Sequence, residues 1–107
     1  MKETTLDVFQ VIADPSRRKM LALLTEESLS INGLAENFSM SRPAVSKHVK
    51  VLYQAGFISI SDVGRERFCS LKPDGFKALQ SWLAYFDQFW SSRLNKLDAL
   101  LKTRRAD

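Results

Sequence analysis

The segment SRPAVSKHVKVL, residues 41–52, combines basic side chains with the spacing of a helix. Arg42, Lys47 and Lys50 carry charges that suit a polyanion. An arginine can also form two parallel hydrogen bonds with a guanine edge, whereas a lysine mainly contacts phosphates. The hydroxyls of Ser41 and Ser46 can bond either phosphates or base edges. The chemistry indicated by this segment is therefore recognition of a charged, hydrogen-bonding surface.

Catalytic patterns are missing from the same sequence. Asp87 and Asp98 lie on one predicted helix about 16 Å apart at 1.5 Å per residue, which is too far for a carboxylate pair. The sequence contains no Ser-His-Asp or phosphate-loop pattern. We therefore expect no enzymatic activity and no cofactor.

The single histidine and the single cysteine each leave two interpretations open. His48 falls toward the edge of the apolar helix face, so a packed, hydrogen-bonded imidazole is favoured over a metal ligand or a base reader. Cys69 is predicted to be a small buried strand residue. Redox sensing remains the alternative for this thiol, because Arg65 and Arg67 lie close in sequence. One cysteine and one histidine predict no metal site.

Two helices are predicted ahead of the basic segment. Leu6, Phe9 and Ile12 recur at helical spacing, and Asp14 with Pro15 is a helix-start signal in which the carboxylate caps and the proline occupies the first position. The second helix opens with two cations, Arg17 and Arg18, which are unfavourable at a helix N-terminus. For this pair, salt bridges with nearby acidic residues are favoured over phosphate contacts.

A helix, a turn and a second helix then follow in close succession. Ile31, Leu34, Ala35 and Phe38 match the amphipathic template, and Ser41 can cap the next helix, so that only residues 39–40 remain for the turn. At about 100° per residue, the helix from Ser41 places an apolar set on one side, namely Val45, Val49 and Leu52. Its opposite side gathers Pro43, Ser46, Lys47, Lys50 and Gln54, with Arg42 at the N-terminal rim.

Beyond this helix the period changes. Gly56 suits the left-handed position that ends a helix. From Phe57, apolar and polar residues alternate as in a strand, and a second strand-like run, RFCSL, follows residues 62–66. The two runs predict a hairpin with a basic tip. Pro73 then opens one long helix with an apolar stripe and no later interruption by glycine or proline beyond Gly75; the stripe comprises Leu79, Leu83, Phe86, Trp90, Leu94, Leu97 and Leu101.

Composition supports one small domain of 107 residues with a formal net charge of +4. The surplus is local, because residues 41–72 hold six basic and two acidic side chains while the rest of the chain balances. The N-terminal residues have no apolar signal core, and no run reaches the roughly 18 apolar residues that a membrane span needs. We expect a cytoplasmic protein without a membrane segment.

The order helix, turn, helix, hairpin is that of a winged helix-turn-helix. The segments IADPSRRKMLALL, SRPAVSKHVKVLYQAGFI and GRERF together resemble the ArsR/SmtB-type bacterial transcriptional repressors over nearly the whole chain. The expected fold is mainly α with a β-hairpin wing. It comprises a helix-turn-helix at 31–55, a wing at 57–72, and dimerisation helices at 1–13 and 73–103, the latter forming a long C-terminal dimerisation helix.

The resemblance implies a homodimer that binds a palindromic double-stranded DNA operator through helix 41–55 in the major groove. DNA-contacting positions implied by the family pattern are Ser41, Arg42, Pro43, Ser46, Lys47, Lys50, Arg65 and Arg67. Metal-sensing members carry paired cysteines in the third helix, or His and Asp ligands along the C-terminal helix, and this chain has neither set. The sequence identifies no inducer.

Aromatic residues of the C-terminal helix also favour a dimer, because one small core cannot cover both sides of that helix. The predicted interface comprises Leu6, Phe9, Leu83, Phe86, Trp90, Leu94 and Leu97. The alternative function is a winged helix used only for contacts with other proteins. That alternative predicts a neutral or apolar outward face, which the basic residues of 41–72 oppose.

Overall fold

The computed structural model describes residues 6–105. Residues 1–5 of the predicted N-terminal dimerisation segment lie outside this range. The elements in chain order are α1 (Val8–Ile12), α2 (Pro15–Leu23), β1 (Leu29–Ser30), α3 (Ile31–Ala35), α4 (Arg42–Gln54), β2 (Ile58–Val63), β3 (Glu66–Leu71), α5 (Pro73–Tyr85) and α6 (Asp87–Arg105). This mainly α arrangement with a β-hairpin confirms the predicted fold class.

The core lies where α2, α3 and α4 meet the hairpin. The predicted inner face of α4 is confirmed, since Val45, Val49 and Leu52 are at most 2 % exposed. Phe57 and Ile58, which follow that helix, are buried beside it. Burial of this stripe fixes which side of α4 remains available to a partner.

The connection between α3 and α4 is longer than the sequence predicted. The predicted Ser41 cap forms, because its hydroxyl accepts from the amide of Ala44 at 3.3 Å. The Ser30 hydroxyl likewise caps α3 and accepts from the amide of Gly33 at 2.9 Å. However, α3 ends at Ala35, so the predicted two-residue turn is wrong. The amide of Phe38 donates to Ala35 across a tight turn, and the Phe38 ring packs against the core from the connection.

A third strand accompanies the predicted hairpin. β1 pairs antiparallel with β3 in the order β1-β3-β2, with Leu29 opposite Cys69. β2 and β3 extend further than predicted, up to the pair Val63 and Glu66, so the turn shrinks to Gly64 and Arg65. Gly64 has a φ of 64°, which a glycine adopts without steric cost.

The single long C-terminal helix was a wrong prediction, because α5 and α6 are separated at Phe86. The amide of Phe86 donates to the carbonyl of Leu83 at 3.0 Å, three residues back, which is the bonding of a 3₁₀ turn. Its ring makes edge contacts with Trp82 and Tyr85 at centroid distances of 4.9 and 5.0 Å. Helical bonding then resumes, since the amide of Trp90 donates to Phe86.

The junction of α1 and α2 also differs from the prediction. Within residues 6–105 the side chain of Asp14 makes no capping hydrogen bond. Arg18 donates to the carbonyls of Ile12 and Ala13 at 2.7 and 3.0 Å, and Arg17 donates to that of Val11 at 2.7 Å. Arg17 also forms the predicted salt bridge, with its NH1 atom 3.9 Å from the Oδ2 atom of Asp14. The two cations at the start of α2 are thus accommodated by this carboxylate and by the carbonyls at the end of α1.

Candidate nucleic-acid interface

The outward side of α4 presents the polar set that the sequence predicted. Arg42, Pro43, Lys47 and Lys50 are exposed, whereas Ser46 is half-buried. Ser41 is exposed at the N-terminus, where its oxygen accepts the capping bond and its O–H remains a donor. The burial of Val45 and Val49 on the other side holds these groups in a fixed orientation.

A groove of about 520 Å³ runs between α4 and the hairpin. Arg42, Ser46, Lys50 and Tyr53 occupy one face of α4 because their spacings of four, four and three residues match the helical period. The groove is lined by these four together with Ile31, Val49, Gln54, Ile60 and Arg67. It therefore brings two cations from α4 and one from β3 to the same concave surface.

The two wing arginines occupy different places. Arg67 pairs across the strands with Asp62, shares a sheet face with Cys69, and lines the groove. Its Nε lies 3.5 Å from the Asp62 carboxylate, and both side chains are well exposed. Arg65 is exposed in the two-residue turn at the hairpin tip, beyond the groove. The structure thus associates Arg67 with α4 and leaves Arg65 at the outer end of the hairpin.

Tyr53 was missed as a candidate contact, and Gln54 was assigned to the outward face without a role. Both line the groove, and the Tyr53 side chain is 52 % exposed. The signal was present in the sequence, since Tyr53 is seven residues after Ser46 and therefore on the same helix face. A phenol and a carboxamide each supply a donor and an acceptor toward a ligand in the groove.

His48 and Cys69 take up structural positions. His48 is half-buried with Nδ1 3.2 Å from an Arg17 nitrogen, in agreement with the packed, hydrogen-bonded interpretation. Cys69 is fully buried on β3, and burial raises the pKa of its thiol, with Arg67 opposing as the smaller influence. Among residues 6–105, no three His, Cys, Asp or Glu side chains come together in a metal-binding group.

A second exposed surface is apolar and is formed by α1, α5 and α6. α1 packs against α5 through an edge contact between Phe9 and Trp82 at 5.2 Å. The described side chains of α6 are all exposed. Of the predicted interface residues, Phe86 is half-buried, whereas the others are exposed by 36 to 59 %: Leu6, Phe9, Leu83, Trp90, Leu94 and Leu97. None of the helices within residues 6–105 is long and apolar enough to cross a membrane.

Comparison with known proteins places these features in a family. Residues 14–59 match the family described as bacterial regulatory protein, arsR family. The HTH-type transcriptional regulator Rv2034 of Mycobacterium tuberculosis is 34 % identical over 92 % of this chain and 90 % of its own length. The transcriptional repressor SdpR of Bacillus subtilis is 35 % identical over 75 % of this chain and 89 % of its own.

Solved structures agree with the sequence relatives. A possible transcriptional regulator for arsenical resistance has a TM-score of 0.69 at 40 % identity, covering 88 % of this chain and 95 % of that one. An ArsR-like transcriptional regulator from Rhodococcus sp. RHA1 has a TM-score of 0.66 at 26 % identity, covering 87 and 88 %.

The fold and these relatives define a winged helix-turn-helix DNA-binding regulator rather than an enzyme. The chain belongs to the arsR family of bacterial regulatory proteins.

Proposed function

We propose that the protein is a homodimeric repressor that binds a palindromic operator, with α4 in the major groove and the hairpin against the flanking backbone. The observation that carries this proposal is the convergence of Arg42, Lys50 and Arg67 on one groove. Cations from two elements on a concave surface suit a polyanion that touches both elements. The relative SdpR is a transcriptional repressor, which supports repression as the outcome.

The side chains divide into readers and anchors. Arg42, Ser46 and Lys47 lie in the first two turns of α4, the part of a recognition helix that meets base edges and adjacent phosphates. Ser41 and Pro43 lie at the same N-terminal end of α4 and approach the same DNA strand, where the Ser41 O–H can donate to a phosphate. Lys50 and Arg67 supply charge from the groove, and Arg65 contacts backbone further out.

The dimer is proposed to form through α1, α5 and α6. Leu83, Trp90 and Leu94 are each more than half exposed, although burying a large apolar side chain is worth about 1.5–3 kcal/mol. Phe9 and Leu6 extend this apolar surface because α1 packs on α5. A second copy of the same surface would cover it symmetrically, and two copies of α4 then match two half-sites.

Selection of random DNA duplexes with the purified protein tests the proposal. We expect enrichment of a motif with two-fold symmetry, and light scattering should give the mass of two chains on one duplex. Arg42→Ala and Lys47→Ala should each weaken binding to the selected duplex, with Lys77→Ala on α5 as the control. Absence of any enriched motif, together with unchanged binding in the α4 variants, would favour the protein-contact module instead.

A further inference from the structure

His48 faces the junction of α1 and α2, away from the DNA-binding side of α4. Its Nδ1 lies 3.2 Å from the NH1 atom of Arg17 and 3.6 Å from the Oδ2 atom of Asp14. The imidazole is thus placed between a cation and a carboxylate. Both partners come from the start of α2, the helix that packs beside α4.

Arg17 connects this imidazole to α1. Its Nε donates to the carbonyl of Val11 at 2.7 Å, and NH2 donates to that of Gln10 at 3.3 Å. All three guanidinium nitrogens are therefore engaged: two contact the end of α1, and NH1 contacts His48 on α4 and lies 3.9 Å from the Oδ2 atom of Asp14. Because α1 belongs to the proposed dimer surface, Arg17 links that surface to the recognition helix.

The hydrogen-bonding roles around His48 follow from the chemistry of its partner. A guanidinium only donates, so Nδ1 must accept, and the imidazole is neutral with its proton on Nε2. Protonation of Nδ1 would turn this acceptor into a donor. The Arg17 bond would then be lost, and two positive charges would face each other.

Asp14 offers the alternative partner. Within the described part of the chain, its Oδ2 atom is buried and has no hydrogen-bond partner. A buried acceptor without a donor is costly, and a protonated Nδ1 would supply the donor. One proton on His48 therefore exchanges the Arg17 contact for an Asp14 contact.

Other charged groups around α4 do not share this position. α1 and α3 contain no ionisable residue, and Asp62, the only ionisable residue of β2, is paired with Arg67. On α4 itself, Arg42, Lys47 and Lys50 are exposed to solvent. On α2, Arg18 binds the carbonyls of Ile12 and Ala13, and Lys19 donates to the carbonyl of Asn37 at 2.8 Å. Among residues 6–105, Asp14 and Arg17 are therefore the charged groups in contact with His48.

We infer that His48 is a proton-responsive positioning residue of the recognition helix, held by Arg17 when neutral and by Asp14 when protonated. This inference rests on the proposed placement of α4 in the major groove. Exchange of the Arg17 contact for the Asp14 contact changes how α4 is held against the junction of α1 and α2, which lowers discrimination between operator and other DNA. The added positive charge meanwhile favours binding to any DNA. Acidification should therefore lower the ratio of specific to non-specific affinity.

The test measures that ratio at pH 8 and pH 5.5, with the duplex obtained by selection and a scrambled duplex of equal length. For the unaltered protein we expect a decrease of about ten-fold at pH 5.5, near the lower end of the effect of losing one charge-assisted hydrogen bond. His48→Asn places an amide oxygen near the Nδ1 position and does not titrate. This variant should keep a high ratio at both pH values, whereas His48→Leu should give a low ratio at both.

A second measurement remains decisive even if a variant does not fold. Because the chain has one histidine, its ring ¹⁵N signals need no assignment. At pH 8 we expect Nδ1 to be unprotonated and Nε2 to carry the proton. The opposite tautomer, or a ratio equally pH-dependent in His48→Asn, would overturn the inference.

Failure of the inference can be distinguished from failure of the proposed function. If Arg42→Ala and Lys47→Ala weaken operator binding while the unaltered protein keeps one ratio at both pH values, only the role of His48 is wrong. If those two variants bind normally, α4 is not the reading element and both conclusions are wrong.

Discussion

Replacing Gly75 with alanine should destabilise the junction between α4, the hairpin and α5. A Cβ atom at this position would lie 2.7 to 2.8 Å from three ring carbons of Phe57. Two carbon atoms ordinarily approach only to about 3.5–4.0 Å. The ring or the helix would therefore have to move by about 1 Å.

Neither partner can move easily. Phe57 is fully buried, and its ring edge packs on Phe76 at a centroid distance of 5.0 Å. Its amide donates to Leu52 at 3.0 Å, and its carbonyl accepts from Lys72 at 2.9 Å. Overpacking of a core costs about 1–3 kcal/mol, and overlap with three atoms favours the upper value. Alanine recovers up to about 1 kcal/mol through helix propensity, so the expected net loss is about 2 kcal/mol.

Urea unfolding followed by tryptophan fluorescence measures this loss. With an m value of about 1–2 kcal/mol per molar, the midpoint should decrease by about 1–2 M. Protein concentration must be constant, since the stability of an assembling protein depends on it. Gly64→Ala is the matched control: a Cβ there meets no atom within 4 Å, and only its φ of 64° opposes the change.

Two outcomes would contradict the steric reasoning. Gly75→Ala could prove as stable as the unaltered protein, or Phe57→Leu could fail to relieve its effect. In the second case the double variant would lose the sum of the two single losses, which is the result for independent sites.

Four further predictions concern assembly, DNA, metals and the thiol. Trp90→Glu should give monomers or insoluble chains by light scattering, and a soluble intact dimer would contradict the proposed interface. Arg42→Ala should lose about 1–3 kcal/mol of binding free energy on operator DNA and much less on random DNA. Arg65→Ala should weaken binding to both DNAs equally and reduce the slope of log affinity against log salt by about one per lost phosphate contact. The reverse pattern in a salt series would exchange their roles. Zinc or arsenite titrated into the protein–DNA complex should not release the DNA, and stoichiometric binding with release would refute this expectation. Because burial raises the pKa of Cys69, the folded protein favours the neutral thiol. Its contribution to the free energy of unfolding is therefore complete below the unfolded-state pKa and is lost as pH rises toward the folded-state pKa. Urea unfolding at neutral and alkaline pH should show this loss of stability, and Cys69→Ser should remove the pH dependence.

Periodicity was sufficient to predict the framework of the DNA-binding half. Val45, Val49 and Leu52 are buried as their spacing indicated, because the apolar stripe of a short helix has one way to enter a small core. Gly56 ends α4 with a φ of 84°, the conformation for which glycine is preferred. The assigned roles of the basic residues remain proposals, although the structure places most of the α4 residues on the predicted outward face.

Other features depended on contacts between distant parts of the chain. β1 is only two residues long, too short for an alternating pattern, and it exists because Leu29 lies opposite Cys69 on β3. The interruption at Phe86 arises among packed aromatic rings and carries no glycine or proline signal. Arg17 meets His48 across 31 positions of sequence, so no local rule could pair them.

Two backbone hydrogen bonds join the segments at which the hairpin begins and ends. The amide of Lys72 donates to the carbonyl of Phe57, and the amide of Gly75 donates to that of Gly56. Its base is therefore anchored independently of its tip at Gly64 and Arg65. Inserting residues on both sides of the turn would move Arg65 outward by about 3.4 Å for each pair, and two pairs would preserve which side chains face α4. Altering the turn alone would thus change how far Arg65 reaches from the core, while the core packing stays constant.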